Sequence, residues 1–385
     1  MEESIKKTAH WDIISPGLKR FPEATGTFIL ISLQTRSLGT VMFLNCKKIA
    51  LIGYGKVGKA LVDLLAEVDP KGKKFTFSAI GSRSLGLLEL KETPPTSVKP
   101  QIEGALQHAK SKTLGGAVQE ITSWLREGAY DVLVEATISN YDTGEPALSY
   151  LQTAIERSKG VITCNKAPIA LALDHLQTIA AQSDAQLRYE STVMDGTPIF
   201  SVFRNALPEV RVERIRGILN STVNVVLDAL YEGMTLEQGI ESAKGLGVAE
   251  ADPSLDLKGT DAAAKLVILV NTLSDMKIKL SDVKSQPLTK ETFERARNAS
   301  TQDGDARIRQ LTIADFSSEN FRVTLEAIQP DDILYGCRGT SNAAIFSLES
   351  FGELVIAEQN PSLNSTAFGI YSDLIDLYQR ETAKV

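Results

Sequence analysis

Only three histidines stand among 385 residues: His10, His108 and His175. No two share the spacing of a metal-binding pair, and their context is terminal or amphipathic, so they read as solvated or packing residues. Acid–base chemistry therefore falls to lysines and carboxylates. Cysteine is equally scarce, with Cys46, Cys164 and Cys337 widely spaced and odd in number. They build neither a disulfide framework nor a zinc knuckle, and a reducing cytoplasm is the expected setting. Positive charge is short as well. A formal net charge of −7 argues against a nucleic-acid or anionic-membrane surface and leaves small metabolites as the expected partners. No apolar run reaches the roughly 20 residues of a membrane span. "TFILISL", over residues 27–33, is too short for one and lies too far in for a signal peptide.

What is present is enough apolar material, 43% of the chain, for two or three domains. Residues 1–45 show no sustained periodicity and hold a second methionine, Met42, just before the first clear strand. They read as an N-terminal extension, poorly ordered or the product of a misassigned start. Glu2, Glu3, Asp12 and Glu23 spoil the acid-poor pattern of a targeting peptide.

From Lys47 the pattern sharpens. "KKIALIGYG" reads as a buried strand ending in glycines, and "KVGKALVDLLAEV" as a helix with an apolar stripe. "KKFTFSAIGSRS", then "YDVLVEAT", "EPALSYLQTAIERSKG" and "GVITCNKAPIALA" continue a strand–helix–strand alternation. Such alternation predicts an α/β fold, a Rossmann-type doubly wound parallel sheet. After about residue 185 the character changes. "LRYEST" and "VRVERIRGIL" read as strands, "STVNVVLDALY" and "TLEQGIESAKGLG" as helices, the latter with a Thr235–Gln238 capping box. "TDAAAKLVILVNTL" is a strongly apolar helix; four further strands and a closing helix, "TAFGIYSDLIDLYQ", follow. That second part is an α+β domain.

The turn "GYGKVG" places Gly53, Gly55, Lys56, Val57 and Gly58 between the first strand and its helix. Gly53 permits the tight turn, Gly55 lets backbone approach a pyrophosphate, and Gly58 allows close packing, with the helix N-terminus facing the phosphates. A purely structural turn is the alternative. The second strand ends without the acid that favours NAD. "GSRS" instead supplies Ser82 and Arg83, a hydroxyl and a guanidinium suited to a 2′-phosphate, so NADP is the expected cofactor and NAD the alternative. A solvated loop arginine is the plainer reading.

Within "AEADPSLDLKGTDAAAKL", Asp261 and Lys265 are four apart and share one helix face. Glu250 precedes an irregular loop that can fold back over the helix start. Such a mixture of charges suits a small substrate with an ammonium, a carboxylate and a hydroxyl. An exposed i,i+4 ion pair is the commoner fate of this spacing. Lys166, in "CNKAP", follows a buried strand at the edge of the sheet where doubly wound folds bind ligands.

The segments "VLVEATISNYDTGEPAL…GVITCNKAPIALA", "YESTVMDGTPIF…IRGILNSTVNVVL" and "AKGLGVAEADPSLDLKGTDAAAKLVIL" together resemble homoserine dehydrogenase in its short form, without a regulatory domain. The resemblance implies interconversion of L-homoserine and L-aspartate 4-semialdehyde with NAD(P), a step in threonine, methionine and isoleucine biosynthesis. Threonine feedback through this chain is not expected. By the resemblance, Glu250 and Asp261 bind homoserine, Lys265 donates or accepts the proton, and Lys166 lies between nicotinamide and substrate. Thr137 contacts the nicotinamide ribose, and Gly247, with Glu250, lies against the cofactor. Glu190, Val193, Asp195 and Thr197 match a loop that holds a monovalent cation, usually sodium, through backbone oxygens; a tight turn alone is the alternative.

The resemblance further implies a homodimer formed through the sheet of the second domain. The expected layout is an extension over 1–45, an NAD(P)-binding domain over 46–184, and a substrate-binding and dimerisation domain over 185–340. A segment over 341–385 then returns to the first domain. Three stretches depart from the family's pattern: "NSTVN" for "NGTTN", Met194 and Asp195 beside a single Gly196, and "EQNPSLNST" where relatives carry a glycine-rich turn over the cofactor. A nucleotide-binding relative without turnover, or an oxidoreductase on another hydroxy amino acid, is the competing function.

Overall fold

The computed structural model describes residues 46–108, 113–299, 305–350 and 352–383. The expected extension over 1–45, with His10, lies outside them. Six strands form the first sheet: β1 (Lys47–Ile52), β2 (Phe75–Ser82), β3 (Gly86–Thr93), β4 (Val132–Glu135), β5 (Gly160–Thr163) and β6 (Gln186–Arg188). Their spatial order is β3-β2-β1-β4-β5-β6. Every pairing is parallel except β2 with β3. The helices α1 (Lys56–Val68), α2 (Val98–His108), α3 (Leu114–Glu127), α4 (Ala147–Glu156) and α5 (Lys166–Ser183) lie between the strands in sequence. β1 and β4 are buried along almost their whole length, as strands covered on both faces must be.

Two details differ from the pattern read in the sequence. The antiparallel edge strand β3 follows β2 through a tight turn, so Arg83 sits in a hairpin rather than at a strand-to-helix junction. Its residues "GLLELKET" alternate only weakly because the strand is an edge, with only three of its eight residues buried. The strand expected from "LRYEST" is β6, and it pairs with β5 in the first sheet instead of opening the second.

The second sheet runs β12-β11-β7-β9-β10-β8. Its strands are β7 (Val212–Ile218), β8 (Lys284–Ser285), β9 (Arg307–Asp315), β10 (Asn320–Ile328), β11 (Asn342–Leu348) and β12 (Gly352–Glu358). All its pairings are antiparallel except the short β8 against β10. With it come α6 (Ser221–Tyr231), α7 (Leu236–Gly245), α8 (Ser254–Leu257), α9 (Thr260–Leu273) and α10 (Lys290–Ala299). The capping box read at Thr235 and Gln238 is formed in both directions.

α9 is apolar nearly all round. Ala262, Ala263, Ala264, Leu266, Val267, Ile268, Leu269 and Val270 are all buried, so the helix runs through the core and carries Asp261 in with it. That burial makes the charges at its first turn consequential.

The closing helix α11 (Leu363–Ala383) packs Ala367, Ile370, Leu374 and Leu377 against Leu61, Leu65, Phe75 and Ile162 of the first sheet's layer. It also carries Asp373, only 2% exposed, whose Oδ2 accepts the Glu190 N–H at 2.9 Å. Burial, reinforced by the nearby Glu190 charge, pushes its carboxyl up to about 8. The native state then holds a proton that the unfolded chain gives up near pH 4. This group's contribution to stability falls as pH rises between those two values, by at most about 1.4 kcal/mol per pH unit. Asp373→Asn keeps an acceptor for the Glu190 N–H and is expected to flatten that slope. Its gain in melting temperature over the parent should be larger at about pH 8 than at about pH 5. Equal changes at both would show that Asp373 is already ionised in the fold.

Candidate active site

The glycine turn has the geometry its sequence suggests. Gly53 has φ +111° and approaches the neighbouring strand end so closely that a Cβ would lie 2.3 Å from the Ala136 carbonyl. A Cβ on Gly58 would lie 2.1 Å from the Gly53 oxygen, so α1 packs tightly on the turn. Gly55, by contrast, faces open space and caps α1 with no side-chain acceptor. Free N–H groups at a helix start, beside a residue that admits close approach, suit a pyrophosphate. Lys56 and Val57 begin that helix. Ser82 spends its hydroxyl on the turn, accepting the Leu85 N–H at 3.1 Å. Arg83 beside it is exposed and makes no ion pair among the described residues.

At the C-terminal ends of β4 and β5 a second layer begins. Thr137 follows β4, and both its N–H and its hydroxyl donate to Glu135 Oε1. Asn165 follows β5 and caps α5, accepting the Ala167 N–H at 3.1 Å, so Lys166 is the first residue of that helix. The Lys166 ammonium reaches Asp261 Oδ1 at 3.1 Å.

Asp261 is the centre of the constellation. Its Oδ2 takes Lys265 at 3.0 Å and the Asn220 amide at 3.0 Å; its Oδ1 takes Lys166 and, at 3.5 Å, the Tyr141 hydroxyl. Lys265 also donates to the Leu219 carbonyl at 2.5 Å. The Asp261–Lys265 pair is therefore no exposed helix pair: the side chains are 12% and 14% exposed. Burial alone would raise the Asp261 carboxyl, but Lys166 and Lys265 outweigh it and hold the group well below the usual carboxylate range. The same charge holds Lys166 well above the ordinary lysine value, against the opposing effect of burial.

Residues that sequence reasoning missed complete the site. Asn220 caps α6 through its oxygen and bridges Asp256 (2.7 Å) and Asp261 through its amide. Asp256, in α8, is raised by burial and then by the Asp261 charge. A cap signal before "STVN" was legible; a carboxylate five residues ahead of Asp261 was hidden in what read as irregular loop. Tyr141 gave no local signal. Glu250 and Gly247 (φ +77°) follow α7, and Glu250 is exposed, making no ion pair among the described residues.

The expected cation loop is a packed turn. Glu190 is buried and its two oxygens accept the N–H groups of Phe200 and Ser201 at 2.7 and 2.8 Å. Val193 is buried, Asp195 accepts the Thr366 hydroxyl at 3.1 Å, and Thr197 donates to Glu358 at 3.0 Å. Met194 and Asp195 adopt φ of +54° and +53°, left-handed conformations that the missing glycines would have taken without strain. Asn360 does the same at φ +51° in the glycine-free C-terminal turn. Ser221, the third departure, is absorbed by donating to the Thr340 carbonyl at 2.8 Å.

Comparison with known proteins gives the chain a family. Residues 198–375 match the family model described as homoserine dehydrogenase. An NAD(+)-dependent homoserine dehydrogenase of Pseudomonas canavaninivorans is 31% identical over 351 residues, covering 88% of this chain and 97% of that protein. A homoserine dehydrogenase of Sulfurisphaera tokodaii is 32% identical over 329 residues, 85% of this chain and 97% of that one. A hyperthermophilic archaeal homoserine dehydrogenase solved with NADPH superposes with TM-score 0.71 at 26% identity, covering 86% of this chain and 96% of that one. The Thermoplasma acidophilum homoserine dehydrogenase shares the fold, with TM-score 0.73 at 24% identity over 86% of this chain and 99% of that one.

Proposed function

The chain belongs to the homoserine dehydrogenase family, NAD(P)-dependent oxidoreductases acting on a CH–OH group, and we propose that it works with NADP through a proton site built on Asp261. The observation that carries this is one buried carboxylate shared by two lysines from different helices. The nicotinamide, when bound, takes or returns the hydride of the substrate's CH–OH carbon. The turn at Gly53, Gly55 and Gly58, with Lys56 and Val57 opening the helix, receives the pyrophosphate. Thr137 faces the nicotinamide ribose, and Gly247 and Glu250 border the cofactor. The expected breaks at 184/185 and 340/341 shift with the sheets: the proposed cofactor domain runs on through β6, the proposed substrate and dimerisation domain includes β11 and β12, and only α11 (Leu363–Ala383) is the segment that returns.

The lysines divide the work. Lys166, held protonated by Asp261, is a poor base and serves as a fixed positive charge beside the alkoxide that forms when the hydroxyl loses its proton. An ammonium carries three donors. Lys265 has the Leu219 carbonyl and Asp261 as acceptors; in reduction its ammonium gives the third proton to the forming hydroxyl, and in oxidation the neutral amine keeps both bonds and takes the hydroxyl proton on its lone pair, so the proton exchange falls to it. Asp261 was expected to bind homoserine directly. With four protein donors on its carboxylate, its part is to hold the lysines, and the substrate ammonium goes to Glu250 and Asp256.

Sodium carries no step here. Glu190 and Asp195 already spend their side chains on protein donors, so with Val193 and Thr197 the loop leaves an ion chiefly backbone oxygens. A homodimer through the second sheet completes the proposal, and sedimentation of the full chain tests it.

The choice of NADP rests on Arg83. One relative is NAD(+)-dependent by name and one solved structure holds NADPH, so the preference belongs to this chain's own residues. A guanidinium on a 2′-phosphate contributes about 1.5–3 kcal/mol, roughly ten- to a hundredfold in affinity. Arg83→Ala is expected to weaken NADP by that factor and leave NAD nearly unchanged in fluorescence titrations of the reduced cofactors. Equal losses would place the 2′-phosphate elsewhere. Homoserine oxidation with each cofactor, followed spectrophotometrically, tests the activity itself.

A further inference from the structure

Glu135 ends a strand of four residues, "VLVE", and is fully buried there. A carboxylate at such a place costs free energy unless donors surround it. They do. Oε1 accepts both the N–H and the hydroxyl of Thr137, and Oε2 accepts the Thr163 hydroxyl at 2.7 Å. Thr163 is the register partner of Glu135 on β5, and its oxygen in turn accepts the Asn165 N–H at 3.0 Å. Asn165 then closes the circle. Its amide donates to the Thr137 carbonyl at 3.3 Å, and its oxygen caps the helix that Lys166 begins and accepts the Ser139 hydroxyl at 2.8 Å.

We propose that Glu135 is a positioning residue that locks the cofactor-facing Thr137 and the proton-side Asn165–Lys166 turn into one unit. The proposal rests on the reading that Thr137 and Lys166 belong to the site. The two carboxylate oxygens serve different sides. Oε1 fixes the end of β4, where Thr137 would meet the ribose. Oε2, through Thr163, fixes the end of β5 and so the start of α5. The ladder between β4 and β5 already holds the strands; the carboxylate adds the relative placement of the two side chains beyond the strand ends.

Glu135→Gln separates the two functions. The glutamine oxygen still accepts from Thr137. Its amide is a donor facing a hydroxyl that already accepts the Asn165 N–H, so the proton of Thr163 loses its acceptor. Thr163→Val cuts the same link from the other side. Both variants are expected to lower kcat for homoserine oxidation by about tenfold or more, the scale of a displacement near the reacting atoms. NADPH affinity by fluorescence titration should stay within about twofold in both, because the Thr137 link survives. Thr137→Val should show the opposite split, weakening NADPH more than it lowers kcat.

Unchanged kcat in folded Glu135→Gln and Thr163→Val proteins would overturn the positioning role. A parallel fall in kcat and NADPH affinity in both would overturn it too, as general loosening. Lys166→Ala run beside them distinguishes the failures. If Lys166→Ala loses turnover while the other two keep it, only the role of Glu135 fails. If Lys166→Ala itself keeps full turnover, the reading of the site fails, and this proposal with it.

Discussion

Replacing Lys265 with alanine is expected to lower homoserine turnover by about two to four orders of magnitude, the range for losing a general acid–base. The expectation follows from where the ammonium sits. Lys265 lies on a helix buried nearly all round, yet its own head group is held at the helix start between the Leu219 carbonyl and Asp261. Two acceptors fix its direction and leave one position, a lone pair in oxidation and a proton in reduction, for the substrate hydroxyl. Among the described residues, the other groups on Asp261 are Lys166, which Asp261 holds protonated, the Asn220 amide, and the Tyr141 hydroxyl, which burial pushes well up, so none takes over the exchange readily. NADPH binding, read by fluorescence, should change little, since the glycine turn and Arg83 are untouched. A folded Lys265→Ala protein with near-normal turnover would remove the residue from the chemistry.

Asp261→Asn should be nearly as damaging for a different reason. The amide fills the same space but removes the charge that two ammonium groups share. Two lysines are then left close together without a counter-charge. Turnover should fall by about a hundredfold as the head groups lose their placement. The Lys166 value, now held high by Asp261, should drop, so residual activity should fall away on the alkaline side, where Lys166 loses its charge, at a lower pH than in the parent. Asp261→Ala adds a stability loss of about 3–5 kcal/mol, as expected when one partner of a buried ion group is removed. An exposed i,i+4 pair would instead cost a few tenths of a kcal/mol and leave turnover alone. The pH–rate profile of Asp261→Asn separates these outcomes.

The helix and strand layout was legible because periodicity and glycine punctuation agree along most of the chain. The "KKIALIGYG" strand, the Thr235 capping box and the all-apolar α9 are each specified locally. The edge strand β3 was not, because an edge needs no full apolar face, and β6 is too short for its three residues to show which sheet they join. Lys166 and Lys265 are 99 residues apart, and nothing local in the sequence says that one carboxylate holds both. Motif resemblance placed them in one site; only the packing of α5 against α9 shows that Asp261 is their common partner. Asp256 and Tyr141 escaped for the same reason, since their significance is entirely tertiary. Glu135 was the avoidable omission, as a carboxylate closing an apolar strand is a buried polar group that asks for partners.

The measurement that bears most directly on the Lys166–Asp261–Lys265 unit is kcat for homoserine oxidation in Lys265→Ala, Asp261→Asn and the double variant. If Asp261 acts by holding the lysines, the part of its effect that runs through Lys265 vanishes once Lys265 is gone and only the part through Lys166 remains, so the double variant should be slower than Lys265→Ala by clearly less than the full Asp261→Asn factor. Losses that multiply, with the double variant slower than Lys265→Ala by the full Asp261→Asn factor, would mean that Asp261 acts on the substrate independently of the lysine and would contradict the account.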